Sequence, residues 1–195
     1  MHRERLSTTS LVRHAADLAD EVGFAAVTPS ALARRVEVTV PSLYTHVAGA
    51  QDLRTKVALL ALQELADRVS AALAGRAGAR ALAALGDAYR SYAREHPGRW
   101  SAVQLRLGAE DAAASAGPRL AQLMRDALSG YGLRGDEETH ALRLLGSALR
   151  GFVDLEAAGG FDHSPPGPDA SWSRALDALD ALFRNWPPNS VGAQP

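Results

Sequence analysis

Leu11, Ala15, Leu18, Ala19 and Val22 recur at spacings of three and four, and that period returns along almost the whole chain. Such spacing gathers apolar side chains on one face of a helix. It reappears in Leu53, Val57 and Leu60, continued by Leu62, Leu65, Val69 and Leu73. Leu120, Leu123, Met124 and Leu128 repeat it, then Leu142, Leu145, Leu149, Phe152 and Val153, and last Trp172, Leu176, Leu179 and Phe183. No stretch alternates in the manner of a half-buried strand, and no internal repeat is present. Ala, Leu and Arg dominate, and all three favour helix. The fold class expected is therefore all-α.

Punctuation residues set the boundaries. The first helix spans 7–22, with Ser7, Thr8 or Thr9 as cap and Gly23 as stop. Thr28-Pro29 opens the second, since Thr caps well and Pro at the first helical position lacks only an N–H with no partner there. Leu32, Ala33 and Val36 form its inner face. After the turn Glu37-Val38, Thr39 caps a third short helix that Gly49 closes. A long fourth helix covers 50–73, a connection 74–78, and a fifth helix 79–96. Helix resumes from Trp100 to Leu107. The Ala-rich stretch 108–117 lacks a pattern and reads as a loop. Further helices are expected over 118–128, 136–158 and 170–186. Pro165, Pro166 and Pro168 mark the loop before the last one.

Composition narrows the function classes. Of 195 residues, 47% are hydrophobic, enough for a sizeable core. No apolar run approaches the roughly 20 residues of a membrane span, and Met1–Arg5 leads into no apolar signal segment. A cytoplasmic location is the expectation. The absence of cysteine removes disulfides, thiolate metal sites and cysteine nucleophiles. The net charge of −1 gives no global attraction to nucleic acid. Locally, however, Asp17, Asp20 and Glu21 cluster late in the first helix, leaving Arg3, Arg5, Arg34 and Arg35 elsewhere to face a polyanion.

Three short helices with a tight turn between the second and third describe a helix-turn-helix, whose recognition helix here is Thr39 to His46. Gly23-Phe24-Ala25-Ala26-Val27-Thr28, then Leu32-Ala33, then Pro41-Ser42-Leu43-Tyr44-Thr45-His46-Val47 with Leu53 after it, resembles the DNA-binding domain of the tetracycline-repressor (TetR) family. The resemblance covers about residues 8–55. A second resemblance lies downstream. Tyr89-Arg90-Ser91-Tyr92-Ala93-Arg94-Glu95-His96-Pro97-Gly98 and Ala148-Leu149-Arg150-Gly151-Phe152-Val153-Asp154-Leu155-Glu156 are similar to segments of a TetR subgroup named for a Trp-His-Gly motif. Gly146 and Arg150 stand where that motif has Trp and His. In the first half, Glu37 stands where the turn usually has Gly, and Ala50 where a Lys commonly opens the fourth helix.

The resemblance implies an N-terminal three-helix bundle carrying the helix-turn-helix (1–49), a helical ligand-binding and dimerisation domain (50–186) and a disordered tail (187–195). It implies a one-component, ligand-responsive regulator, a repressor that binds a near-palindromic operator as a homodimer and is released by a small apolar or aromatic effector. Thr39, Val40, Pro41, Ser42 and Thr45 are the candidates for reading bases, with Ser30 reaching DNA from the second helix. Tyr44, His46 and Thr28 are candidates for phosphate. Lys56, the sole lysine, or Arg54 replaces the missing lysine, aided by the N-terminus of the fourth helix. Arg3 and Arg5 are read as a basic arm. Tyr89, Tyr92, His96, Trp100, Leu107, His140, Leu144 and Phe152 are the candidate lining of an effector pocket. The helices at 136–158 and 170–186 are expected to pair with a second subunit's in a four-helix bundle.

Other classes find less support. No nucleophile–base pair, glycine-rich phosphate loop or paired carboxylates on a shared helical face is present, so no enzyme is expected. No cofactor is implied, and His96 and His140 lack partners at metal-ligand spacing. The competing reading is a helical small-molecule-binding protein with a TetR-like fold and weak or lost operator binding, for which the near-neutral charge, Glu37 and Ala50 speak.

Overall fold

The computed structural model describes residues 7–187. Ten α-helices follow in chain order: α1 Thr8–Val22, α2 Pro29–Arg35, α3 Val40–Leu43, α4 Ala50–Leu73, α5 Ala79–Glu95, α6 Pro97–Val103, α7 Ala109–Ala114, α8 Gly117–Leu128, α9 Asp136–Ala157 and α10 Pro168–Arg184. Short 3₁₀ turns lie at Phe24–Ala26 and Ser129–Tyr131. There is no strand among the described residues, so the all-α expectation holds.

The chain divides into two compact units. One takes the chain up to Asp67 together with Tyr92–Leu120; the other takes Arg68–Ser91 and the chain from Ala121 onward. The divisions fall inside α4, α5 and α8. The segment expected as the helix-turn-helix lies within the first unit, which also includes most of α4, all of α6 and α7.

In the first unit, α1 begins in a capping box. The Ser10 N–H donates to Ser7 Oγ at 3.1 Å, and the Ser7 N–H donates to Ser10 Oγ at 3.0 Å. Gly23 ends the helix at φ +88°, a backbone region that side chains avoid. The core joins Leu11, Ala15 and Ala19 of α1 to Phe24, Val27, Leu32, Leu43, Val47, Leu53 and Val57. Val103, Leu105 and Leu107 pack on its edge. α6 approaches α1 so closely that a Cβ at Gly98 would stand 1.9 Å from the Ala19 carbonyl oxygen. Only glycine fits there.

The second unit buries Val69, Leu82, Leu85, Tyr89, Leu128, Leu145, Leu149, Trp172, Leu176 and Phe183. Gly86 of α5 faces α10, where an added Cβ would meet Leu176 Cδ2 at 2.7 Å. Polar pairs cross this core. Arg90, itself buried, lies 2.5 Å from Glu156 and 2.8 Å from Asp169 and sits over the rings of Phe152 and Trp172. Trp172 Nε1 donates to Asp87 at 2.8 Å, Tyr131 Oη to Asp180 at 2.7 Å, and Trp186 Nε1 to Glu137 at 2.6 Å.

Several boundaries differ from the sequence-based expectation. The stretch expected as a loop at 108–117 contains α7, which buries none of its residues. An all-exposed helix has no apolar stripe to detect; Ala propensity and Glu110 and Asp111 in its first turn support it instead. α6 starts at Pro97 rather than near Trp100, and α10 at Pro168 rather than Ala170. In both, proline occupies the first helical position, where it starts a helix instead of forbidding one. The expected basic arm, Arg3 and Arg5, and the expected tail from Pro188 on lie outside the described residues.

Candidate nucleic-acid interface

The helix-turn-helix is built from local bonds laid over the first unit's core. Thr28 caps α2, its Oγ1 accepting from the Ala31 N–H at 3.1 Å. Pro29 is buried while Thr28 and Ser30 are exposed. Between α2 and α3 the Val38 N–H bonds the Ala33 carbonyl at 3.0 Å, and Glu37 lies at φ +54°. That is the left-handed position that the glycine-for-glutamate difference anticipates, and a side chain there is strained by roughly 1–2 kcal/mol.

α3 is a single four-residue turn, shorter than the expected Thr39–His46. Its path continues in tight turns, with the Tyr44 N–H bonded to the Pro41 carbonyl at 3.2 Å and the His46 N–H to the Leu43 carbonyl at 2.8 Å. Leu43 and Val47 anchor the segment in the core, and Val40 packs half-buried at the core's edge. The remaining candidates stand outward. Thr39, Pro41, Ser42, Tyr44 and Thr45 are all exposed, Tyr44 to 56%. Thr39 holds the cap position, but its hydroxyl bonds Ser42 Oγ at 2.8 Å rather than a backbone N–H. Thr45 Oγ1 donates to the Ser42 carbonyl at 2.8 Å. His46 Nδ1 lies 3.2 Å from Thr8 Oγ1, tying the end of this segment to the start of α1.

The basic residues are less free than sequence suggests. Lys56 is ion-paired with Asp52, whose other oxygen accepts the Ala48 N–H at 2.8 Å. Burial opposes ionisation of Asp52, yet its bonds to Lys56 and Ala48 hold the carboxyl below the usual range. Arg54 lies over the Phe24 ring and reaches the Ala25 carbonyl. Arg35 grips Glu21 with both terminal nitrogens, at 2.5 and 2.8 Å, lowering that carboxyl chiefly through the hydrogen bonds. Arg34 is exposed.

The eight residues read as a pocket lining are divided between the units. Tyr92, His96, Trp100 and Leu107 belong to the first; Tyr89, His140, Leu144 and Phe152 belong to the second. Tyr92 is fully buried, and its hydroxyl donates to the Ala61 carbonyl at 3.2 Å and to Glu64 at 3.1 Å. Burial first, and the Glu64 carboxylate second, raise its ionisation far above the ordinary phenol value. Tyr89 is buried too, with its hydroxyl 3.5 Å from Met124 Sδ. Trp100 is buried and Leu107 half-buried. Phe152 packs between Phe161 and Trp172. His140 and Leu144 are exposed.

A family model described as the C-terminal domain of tetracyclin repressor-like proteins matches residues 82–179. The chain belongs to the TetR family. It is 38% identical over 160 residues to an uncharacterized HTH-type transcriptional regulator of Mycobacterium tuberculosis, covering 81% of this chain and 73% of that one. Over 158 residues it is 31% identical to an uncharacterized HTH-type transcriptional regulator of Bacillus subtilis, covering 80% and 82%. Its fold is similar to the crystal structure of a TetR variant from Acinetobacter baumannii AYE in complex with minocycline, with a TM-score of 0.69, 24% identity, and coverage of 93% of this chain and 98% of that one. The protein is thus a DNA-binding transcriptional regulator of TetR type.

This TetR-family chain contains one site that sequence reasoning missed. The Arg99 N–H donates to Asp20 Oδ1 at 2.8 Å, its guanidinium pairs with Asp17 and lies 3.6 Å from Glu64, and His96 Nδ1 sits 3.1 Å from Asp20 Oδ2. The His96-Pro97-Gly98-Arg99 segment is a clamp on α1: glycine permits the close approach and arginine binds the acids. The available signal was the acidic cluster in α1, whose charge Arg99 and Arg35 offset internally. No group of His, Asp or Glu among the described residues is arranged to hold a metal. No helix among them is long and apolar enough to cross a membrane.

Proposed function

We propose that the chain is a ligand-responsive repressor that binds a near-palindromic operator as a homodimer and releases it when a small apolar or aromatic effector binds. The observation that carries this reading is the row of exposed hydroxyl and aromatic side chains from Thr39 to Thr45, held over a fixed core by Leu43 and Val47. Thr39, Ser42 and Thr45 offer hydroxyls to base edges, and Val40 and Pro41 offer apolar contact to a thymine methyl. Tyr44 Oη supplies a phosphate contact. With Nδ1 engaged by Thr8, His46 keeps Nε2 for another. Thr28 and Ser30, exposed at the start of α2, and Lys56 complete the backbone contacts. In the second unit, α9 and α10 pack together and leave Leu155 and Leu182 exposed, which supports their use as the dimer face. The effector is assigned to the residues named for the pocket, Tyr89, Tyr92, His96, Trp100, Leu107, His140, Leu144 and Phe152.

The test is a fluorescence-anisotropy titration against duplex DNA flanking the protein's own gene, at two salt concentrations and with a scrambled control. Selective binding that weakens with salt supports the reading. Tyr44→Ala should weaken it roughly tenfold, the worth of one phosphate hydrogen bond, with an unchanged melting curve because the ring is exposed. Full affinity in that variant would contradict the role of Tyr44.

Two observations favour a second reading, a ligand-binding protein of the same fold with weak operator binding. Glu37 strains the turn, and Asp52 places a carboxylate in the first turn of α4, where a phosphate would otherwise meet the helix N-terminus. Equal, weak affinity for every duplex would favour it.

A further inference from the structure

A cavity of about 650 Å³ lies between the last turns of α4 and the first three turns of α5, within the second unit. Its α5 wall is one helical face, Arg80, Ala84, Asp87, Ala88 and Ser91, recurring at spacings of three and four. The opposite face of α5 carries the buried Leu82, Leu85 and Tyr89. Alanines where bulkier residues would close the space leave a shallow apolar shelf. Beyond the end of α4, Gly75 at φ +69° turns the chain, and the Arg76 N–H bonds the Leu73 carbonyl at 3.0 Å, which brings Arg76 to the rim.

Charge sets this groove apart. Arg68, Arg76 and Arg80 all line it. Arg68 Nη1 donates to Ser91 Oγ at 3.2 Å. Arg76 bonds the Ala72 carbonyl, and neither Arg76 nor Arg80 has an acidic partner among the described residues. The carboxylate that lines the cavity, Asp87, is already engaged by Trp172 Nε1. By contrast Arg35, Arg90, Arg99, Arg119 and Arg184 each rest on a carboxylate. Two guanidiniums without acids at the edge of an apolar shelf fit an acid supplied from outside.

We propose that this groove binds a carboxylate carried on a flat apolar body. Arg76 and Arg80 hold the carboxylate through the guanidinium fork, and the apolar face lies on Ala84 and Ala88. The volume falls within the range of small-molecule pockets. The alanine methyls between the arginines offer an apolar surface on which a flat ring can lie. None of the groove's lining residues belongs to the proposed effector pocket, and ligand binding here stands whether or not the chain binds an operator.

The probes are 1-naphthoate and its uncharged primary amide, titrated calorimetrically into the full chain. Naphthoate should bind one to one, and the amide at least tenfold more weakly, as expected for loss of a charge-assisted hydrogen bond. Arg76→Gln with Arg80→Gln should lower naphthoate affinity by at least tenfold while the melting curve stays in place, since neither side chain holds another. Ala84→Leu, filling the shelf, should weaken both probes. Absence of naphthoate binding, equal affinity for acid and amide, or full affinity in the double variant would overturn the proposal. Naphthoate binding in the groove that leaves DNA affinity unchanged would uphold the site as one separate from the effector pocket.

Discussion

The helix-turn-helix and the second unit are held together by different means. From Thr8 to Val57 the chain relies chiefly on small and branched apolar side chains closing over Leu32 and Leu43, with capping bonds three residues apart at Ser7–Ser10 and Thr28–Ala31; its longer polar ties, Arg35 to Glu21 and His46 to Thr8, join exposed or half-buried side chains. The second unit fastens its helices with polar pairs between residues far apart in sequence: Arg90 to Glu156, Trp172 to Asp87, Tyr131 to Asp180. Its aromatic rings fill the core and place their polar tips on carboxylates, which satisfies a group that burial would otherwise penalise. The helix-turn-helix segment thereby keeps most of its polar side chains exposed or half-buried. A larger helical unit buries some of its own and depends on each pair being complete.

The largest expected effect lies in the second unit. Arg90→Ala removes a buried guanidinium that contacts both Glu156 and Asp169 and sits over two aromatic rings, for an expected loss of about 3–5 kcal/mol. Replacing both, Arg90→Met with Glu156→Leu, should recover most of it. Denaturant melts of the two variants decide the matter, and a single variant no worse than the double would break the contrast. Next comes Gly98→Ala in the first unit. Its Cβ would press on the Ala19 backbone, which has no rotamer to yield, and about 3 kcal/mol of destabilisation is expected. That corresponds to a fall of roughly 6–12 °C in melting temperature.

A smaller effect of opposite sign is expected at the turn. Glu37→Gly should relieve the positive φ and stabilise by about 1 kcal/mol, seen as a higher denaturation midpoint. A lower midpoint would mean that the turn is not strained. The smallest effect concerns Asp52. Its carboxyl titrates below the usual value in the folded chain, so its contribution is present at neutral pH. It fades as the pH drops below about 3.9 through the folded value. The stability gap between wild type and Asp52→Asn should therefore shrink on acidification, by less than about 1 kcal/mol given the exposure of the pair. A gap independent of pH would remove Asp52 from this role.

The same contrast governs what the sequence discloses. Helix starts at Ser7 and Thr28-Pro29, the stop at Gly23 and the 50–73 span of α4 follow from local rules and are found as expected. The burial of Leu43 and Val47 was legible from their helical spacing, while the hydroxyls of Thr39, Ser42 and Thr45 stay exposed. What local rules miss is long-range or unpatterned. α7 has no buried face, and nothing near Arg99 in sequence announces Asp17 or Asp20. The aromatic residues near His96 and Phe152 look alike as a list. Tyr92 nonetheless proves to be a buried hydrogen-bond donor in one unit, and His140 an exposed side chain of the other. Spacing along a helix fixes a face, but not which neighbour that face meets.

The most direct test of the central claim is selection of bound duplexes from a random-sequence library by the full chain, with Tyr44→Ala carried in parallel. Enrichment of a near-palindromic site by the wild type, lost or much weakened in the variant, is the expected result. Failure to enrich any sequence, or the same site recovered at equal strength by the variant, would contradict an operator-reading role for the segment from Thr39 to His46.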